Sequence, residues 1–101
     1  MPEQLRIAVL GITGRMGKAL IGAIEETGEA LLSGAMASSS SEYQGMELTA
    51  LGARSKARVT ADARKAIENA SVAIDFTLPD ATSANLAACV AGKCPLVIGT
   101  T

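Results

Sequence analysis

Gly11, Gly14 and Gly17 stand three residues apart, directly after the apolar run Ile7, Ala8, Val9 and Leu10. Glycines in that position can cradle an anion. A strand that passes through glycine into a helix brings free backbone N–H groups and the positive end of a helix dipole to one point, where a phosphate is favoured. Each glycine has its own reason: Gly11 for the tight turn out of the strand, Gly14 for close approach of backbone to a pyrophosphate, and Gly17 for close helix-to-strand packing. Arg15 places a cation in the first helical turn, which opposes the dipole unless a negative ligand lies nearby, and it is assigned to phosphate contact. The pattern is G-x-x-G-x-x-G, one residue longer than G-x-G-x-x-G because Thr13 precedes Gly14. In this strand-to-helix context it reads as a dinucleotide site, against the alternative that the glycines serve packing alone.

Two further segments carry unusual residues, Asp75-Phe76-Thr77-Leu78-Pro79 and Gly99-Thr100-Thr101. Glycine, threonine and one aromatic gathered at one edge suit a flat nicotinamide ring beside a pyrophosphate. The chain has no histidine, which removes the commonest general acid or base, so proton chemistry must come from another residue or another part of the protein. Cys89 and Cys94 are five apart and read as free buried thiols rather than a disulfide or a ligand pair.

The elements that would position these groups alternate strand and helix, which predicts an α/β fold on a doubly wound, Rossmann-like parallel sheet. Residues 7–10 and 30–36 read as the first two strands, although Ser33 and Gly34 interrupt the second. Between them, apolar residues at Met16, Leu20, Ala23, Ile24 and Thr27 mark one buried helical face, and Gly28 supplies the stop. Residues 37–56 form a polar loop with a short helical turn within 43–51. A short edge strand is expected over 58–60, then a helix capped by Thr60 or Asp62 that buries Ala63, Ala66, Ile67 and Ala70. A fourth strand over 72–76, a helix over 79–91 opened by Pro79 and capped by Gly92, and a fifth strand over 96–98 complete the pattern. Right-handed crossovers put all three peculiar segments beyond the carboxyl ends of the strands, where ligands bind in such sheets.

With 101 residues, 49% apolar and 19% charged, the chain has the size and composition of one globular domain. Net charge is −1 and the basic residues form no long run, so nucleic acid is not an expected partner. No membrane span and no secretory signal are visible, which makes the cytoplasm the expected compartment.

G-x-x-G-R-M-G, then I-D-F-T-x-P, then V-I-G-T-T, in that order and along the entire chain, resembles the bacterial 4-hydroxy-tetrahydrodipicolinate reductases of lysine and diaminopimelate biosynthesis. The resemblance implies a reductase that takes hydride from NADPH or NADH and delivers it to a cyclic imine or enamine. It makes Gly11, Ile12, Thr13, Gly14, Arg15 and Met16 the pyrophosphate loop, with Gly17 supporting the helix. It puts Phe76 and Thr77 in the same pocket and sets Gly99, Thr100 and Thr101 against the nicotinamide and its ribose. Asp75 is read as structural. Many family members end the second strand with an acidic residue followed by arginine, and here Ala37 and Ser38 stand there. Ser38 is therefore taken as a cofactor contact, with NADPH binding at least as well as NADH. Arg54, Lys56 and Arg58 could assist a 2′-phosphate if the loop folds over, against the reading of a solvated basic loop. The resemblance also implies that the catalytic and substrate-binding segment belongs to a second domain downstream, that the full-length protein is a homotetramer, and that this piece alone is inactive. The rival readings are a non-catalytic dinucleotide-sensing or regulatory module, and another NAD(P)-dependent enzyme such as an aspartate or homoserine dehydrogenase.

Overall fold

The structure, a computed structural model, describes residues 5–12, 15–77 and 79–99. Its elements run β1 (Leu5–Leu10), α1 (Arg15–Thr27), β2 (Ala30–Met36), α2 (Ala63–Ala66), β3 (Val72–Asp75), α3 (Pro79–Ala91) and β4 (Leu96–Ile98). The strands make one parallel sheet in the order β2-β1-β3-β4. β1 lies inside the sheet and feeds both faces, because successive side chains of a strand point to opposite sides. Ile7 and Val9 join Ile21 and Ile24 of α1 in one core. Ala8 and Leu10 join Ala66 of α2 and Cys89 of α3 in the other. This is the two-faced packing of a Rossmann-like sheet.

Ser33 and Gly34, which weaken the strand signal in β2, have a defined role. The pairing of β1 with β2 slips between Ile7 and Ala8, which sit opposite Leu32 and Gly34, so Ser33 is an extra residue in the strand. The bulge inverts the alternation. Ala30 and Leu32 face the α1 core before it, and Ala35 faces the same core after it. Gly34 then points at α2, and a Cβ there would overlap the carbonyl oxygen of Ala66. Glycine is what lets α2 lie this close to the sheet.

Other expectations shift by a residue or more. The buried stripe of α1 is Gly17, Ile21 and Ile24 with Leu20 half-buried, whereas Ala23 and Thr27 are exposed. The helix is rotated because Gly17 is pressed against Ile12, whose backbone occupies the space of any Cβ at that position. Residues 58–60 do not form a strand: Thr60 makes one parallel bridge to Met36, and Arg58 one antiparallel bridge to Glu47. They still lie beside β2, on the side where a further strand would extend the sheet. The loop from 37 to 56 contains a 3-10 turn at Leu48–Leu51, and Asp62, not Thr60, caps α2 by accepting from the Arg64 N–H at 2.9 Å.

Gly28 ends α1 with φ of 70°, as expected. At the end of α3 the left-handed residue is Lys93, with φ of 55°, and not Gly92. The Cys94 N–H donates to the Cys89 carbonyl at 2.8 Å and the Lys93 N–H to the Val90 carbonyl at 3.1 Å, the bond pair of a Schellman cap. Gly92 has a packing reason instead, since a Cβ there would stand 3.0 Å from Cδ1 of Ile67.

Lys93→Gly is expected to stabilise the fold by about 0.5–1 kcal/mol, as a left-handed lysine is relieved and part of the gain is lost to a freer unfolded chain. Gly34→Ala is expected to destabilise it by about 2 kcal/mol or more, because the obstacle is backbone and cannot rotate away. Urea melts of the two variants beside the parent check both signs.

Candidate functional site

β1 continues through α1 to β2 on one side, and β3 continues through α3 to β4 on the other, so the connections diverge between the carboxyl ends of β1 and β3. A crevice opens at such a switch point. The backbone there is tied strand to strand. The Met36 carbonyl accepts from the N–H groups of Gly11 and Ile12 at 2.8 and 3.1 Å, the Leu10 carbonyl from Phe76 at 2.8 Å, and the Asp75 carbonyl from Gly99 at 2.8 Å. The ends of all four strands are thereby held in one row.

Gly11 leaves β1 with φ of 97°, and a Cβ on it would lie 3.0 Å from the carbonyl carbon of Phe76 and 3.1 Å from the nitrogen of Thr77. Gly99 leaves β4 against the Phe76 ring, whose Cε1 would be 2.6 Å from a Cβ at that position. The structure thus brings Gly11, Phe76, Thr77 and Gly99 together. Ile12 plays a different part: its side chain is buried in the α1 core and its N–H is occupied by Met36. Gly17 packs the helix onto Ile12. Thr13, Gly14, Leu78, Thr100 and Thr101 lie outside the described residues, as do the side chains of Arg15 and Met16, whose backbone opens α1.

The turn after β3 is built by Asp75, which is fully buried. Its Oδ1 accepts from the Thr77 N–H at 2.7 Å and from the Thr77 hydroxyl at 2.5 Å, and the Asn85 amide of α3 donates to the same hydroxyl at 3.1 Å. The structural reading of Asp75 matches this geometry. Asn85 was not foreseen: it is an almost fully buried amide in a helix of small residues, and its partner comes from a turn eight residues earlier.

Ser38 follows β2 and is exposed, with its hydroxyl 3.0 Å from that of Ser40. It therefore stands at the same edge as Gly11, beyond Met36. The basic residues farther along do not gather there. Arg54 is drawn to the opposite edge, where its guanidinium pairs with Glu25 and donates at 3.0 Å to the carbonyl of Ala30, the first residue of β2. Six residue steps along β2, roughly 20 Å, separate that point from Met36. Arg58 donates to the Gly45 carbonyl at 2.6 Å and lies 3.6 Å from Glu47. Lys56 is an exposed loop residue.

Among the described residues no cluster of side chains could hold a metal ion, and no helix is long and apolar enough to cross a membrane. A depression lined by Arg64, Lys65, Ile67, Glu68 and Gly92 lies at the amino-terminal side of β4, on the far edge from Gly99. Cys89 and Cys94 are free and buried, as expected. Burial, more than any neighbouring charge, pushes both thiols above their usual range, so they are poor nucleophiles.

Residues 5–101 match the family described as dihydrodipicolinate reductase, N-terminus. The 4-hydroxy-tetrahydrodipicolinate reductase of Pseudoalteromonas atlantica is 43% identical over 98 residues, which are 95% of this chain and 37% of that protein. The protein of the same name from Laribacter hongkongensis is 42% identical over 100 residues, 98% of this chain and 38% of that one. The chain thus spans little more than a third of the length of these relatives. A solved 1-deoxy-D-xylulose 5-phosphate reductoisomerase from Zymomonas mobilis in complex with NADPH is a distant likeness, with a TM-score of 0.39 at 18% identity over 98% of this chain and 22% of that one. On the family match, which runs through every strand of the sheet and all the turns at its carboxyl edge, the chain belongs to the dihydrodipicolinate reductase N-terminal family.

Proposed function

We propose that this chain is the cofactor-holding part of an NAD(P)H-dependent reductase of 4-hydroxy-tetrahydrodipicolinate, acting in lysine and diaminopimelate biosynthesis. The observation that carries the reading is the meeting of Gly11, Phe76, Thr77 and Gly99 at the switch point, where both glycines abut Phe76 too closely for an unstrained side chain. A cofactor with a flat ring and a pyrophosphate fits such a row of bare backbone beside an aromatic wall. The nicotinamide supplies the hydride when bound, and the protein supplies orientation and electrostatics.

In this reading Gly11, Ile12, Thr13, Gly14, Arg15 and Met16 form the pyrophosphate loop, with Gly17 fixing the helix behind it. Phe76 and Gly99 border the nicotinamide, and Thr100 and Thr101 continue that border. Asp75 positions Thr77 and leaves the turn rigid, through bonds to both the N–H and the hydroxyl. Ser38, beyond β2, faces the adenosine ribose and favours NADPH at least as well as NADH. With no histidine in the chain, proton donation is assigned to the remaining length of the protein, together with substrate binding and homotetramer assembly. The whole protein is assigned to the cytoplasm.

Gly99→Ala is expected to push the Phe76 ring outward and weaken NADPH and NADH binding roughly tenfold, the effect of about 1.4 kcal/mol of overpacking. Binding of 5′-AMP, which lacks the nicotinamide, is expected to change less than about twofold, well below the energy of one lost hydrogen bond. Chemical-shift titration of the amide spectrum measures both, and equal loss for the two ligands would reject the placement of the nicotinamide. The chain given NADPH and substrate is expected to oxidise no cofactor by absorbance; turnover would overturn the division of labour between the two parts.

A further inference from the structure

In doubly wound folds the residues after the second strand read the 2′ position of the adenosine ribose, a carboxylate accepting from a hydroxyl and a cation pairing with a phosphate. Here β2 is followed by Ala37 and four serines, and the first carboxylate is Glu42. The loop folds back on itself at this point. The Ser41 N–H donates to the Ser38 carbonyl at 2.9 Å, and the Gln44 amide donates to the carbonyls of Ala37 and Ser38 at 2.8 and 2.9 Å. That closure lays Tyr43 against α1, half-buried on the core, with Nζ of Lys18 lying 5.2 Å from its ring centroid. A cation resting on an aromatic face is held in place without being neutralised. Two cations of the loop itself, Arg54 and Arg58, are engaged elsewhere.

We propose that Lys18, braced by Tyr43, is the cation that pairs with the ribose 2′-phosphate of an NADP-type cofactor, with the hydroxyls of Ser38 and Ser40 donating to the same phosphate. This rests on the cofactor reading above and names the residues that choose between the two nicotinamide dinucleotides. Lys18 serves because it is on the first turns of α1, beside the crevice, while its side chain reaches over the loop after β2. Glu42 shares this field. The Tyr43 hydroxyl first, and Glu42 more weakly, hold the Lys18 ammonium above its usual range, so the carboxylate competes with an incoming phosphate for the same charge.

The test is a chemical-shift titration of the 101-residue chain with adenosine 2′,5′-bisphosphate and, separately, with 5′-AMP. The bisphosphate is expected to bind more tightly, and Lys18→Gln to cut that advantage roughly threefold or more, as loss of a charge-assisted contact does, with 5′-AMP affinity unchanged. Lys18→Arg should retain the advantage. Glu42→Gln should enlarge it, and Ser38→Ala should reduce it less than Lys18→Gln does. Lys18 is exposed, so these variants are expected to melt with the parent. Equal affinity for the two nucleotides, or an advantage that survives in Lys18→Gln, overturns the assignment of Lys18 and leaves the cofactor reading standing. Failure of both nucleotides to bind overturns the cofactor reading and this inference together.

Discussion

Gly11 turns out of β1 into a space already filled by the backbone of Phe76 and Thr77, and the carboxyl edge of the sheet depends on that contact. A Cβ there would lie 3.0–3.2 Å from that backbone, tighter than ordinary contact, at a φ of 97° that strains any L side chain. The same turns carry the row of backbone bonds that joins the strand ends, in which Phe76 is anchored to Leu10, Gly99 to Asp75, and both Gly11 and Ile12 to Met36. Position in the row is set by backbone hydrogen bonds rather than by side-chain rotamers. The α1 side of the contact is equally constrained, because Gly17 and Ile12 touch with no space for a Cβ. Two glycines six residues apart thus set the close approaches of this edge, one to the turn after β3 and one to Ile12.

These constraints explain what could be read from the chain alone. Strand β1, helix α1 with its Gly28 stop, the Pro79 start of α3 and the meeting of three motifs at one edge follow from local backbone chemistry, which a sequence displays directly. The features that were missed depend on contacts distant in the chain. Ser33 looks like an interruption until the β1 register shows it as a bulge. The face of α1 is turned by Gly17 against Ile12, beyond the reach of apolar spacing. Residues 58–60 pair on both sides at once: Val59 accepts from the Gly45 N–H and donates to the Met46 carbonyl of the preceding loop, while Thr60 alone bridges to β2. Lys56 gives no signal beyond exposure, and Arg54 is placed by Glu25, twenty-nine residues away.

The cysteine spacing has a similar resolution. Cys89 and Cys94 are the positions that a Schellman cap brings together in a hydrophobic contact, with the left-handed residue between them. A pair five apart at the end of a helix therefore needs no metal and no disulfide to account for it. Both thiols belong to the core on the α2 and α3 face, together with Ala73 and Leu96, at the point where α3 gives way to β4. The left-handed lysine is the strained part of this junction, tolerated because both cap bonds and the buried thiols over-determine its conformation.

The charges of α1 run against its own dipole. Arg15 and Lys18 stand in the first turns and Glu25 and Glu26 near the end, the reverse of the arrangement that stabilises a helix, at about 0.3–1 kcal/mol for each terminal charge. At the carboxyl end the structure offsets this: the Arg54 guanidinium binds Glu25 and the Ala30 carbonyl together, so the negative end meets a cation brought in from the loop. No carboxylate stands in the first turn of α1 to do the same for Arg15 and Lys18. Tyr43 braces Lys18 but brings no full negative charge, and Glu42 is only a weak influence on it. Arg54 thus answers the dipole at the carboxyl end, while the sequence of the first turn adds basic residues where the dipole is already positive, and the proposed phosphate site at this terminus rests on that charge pattern.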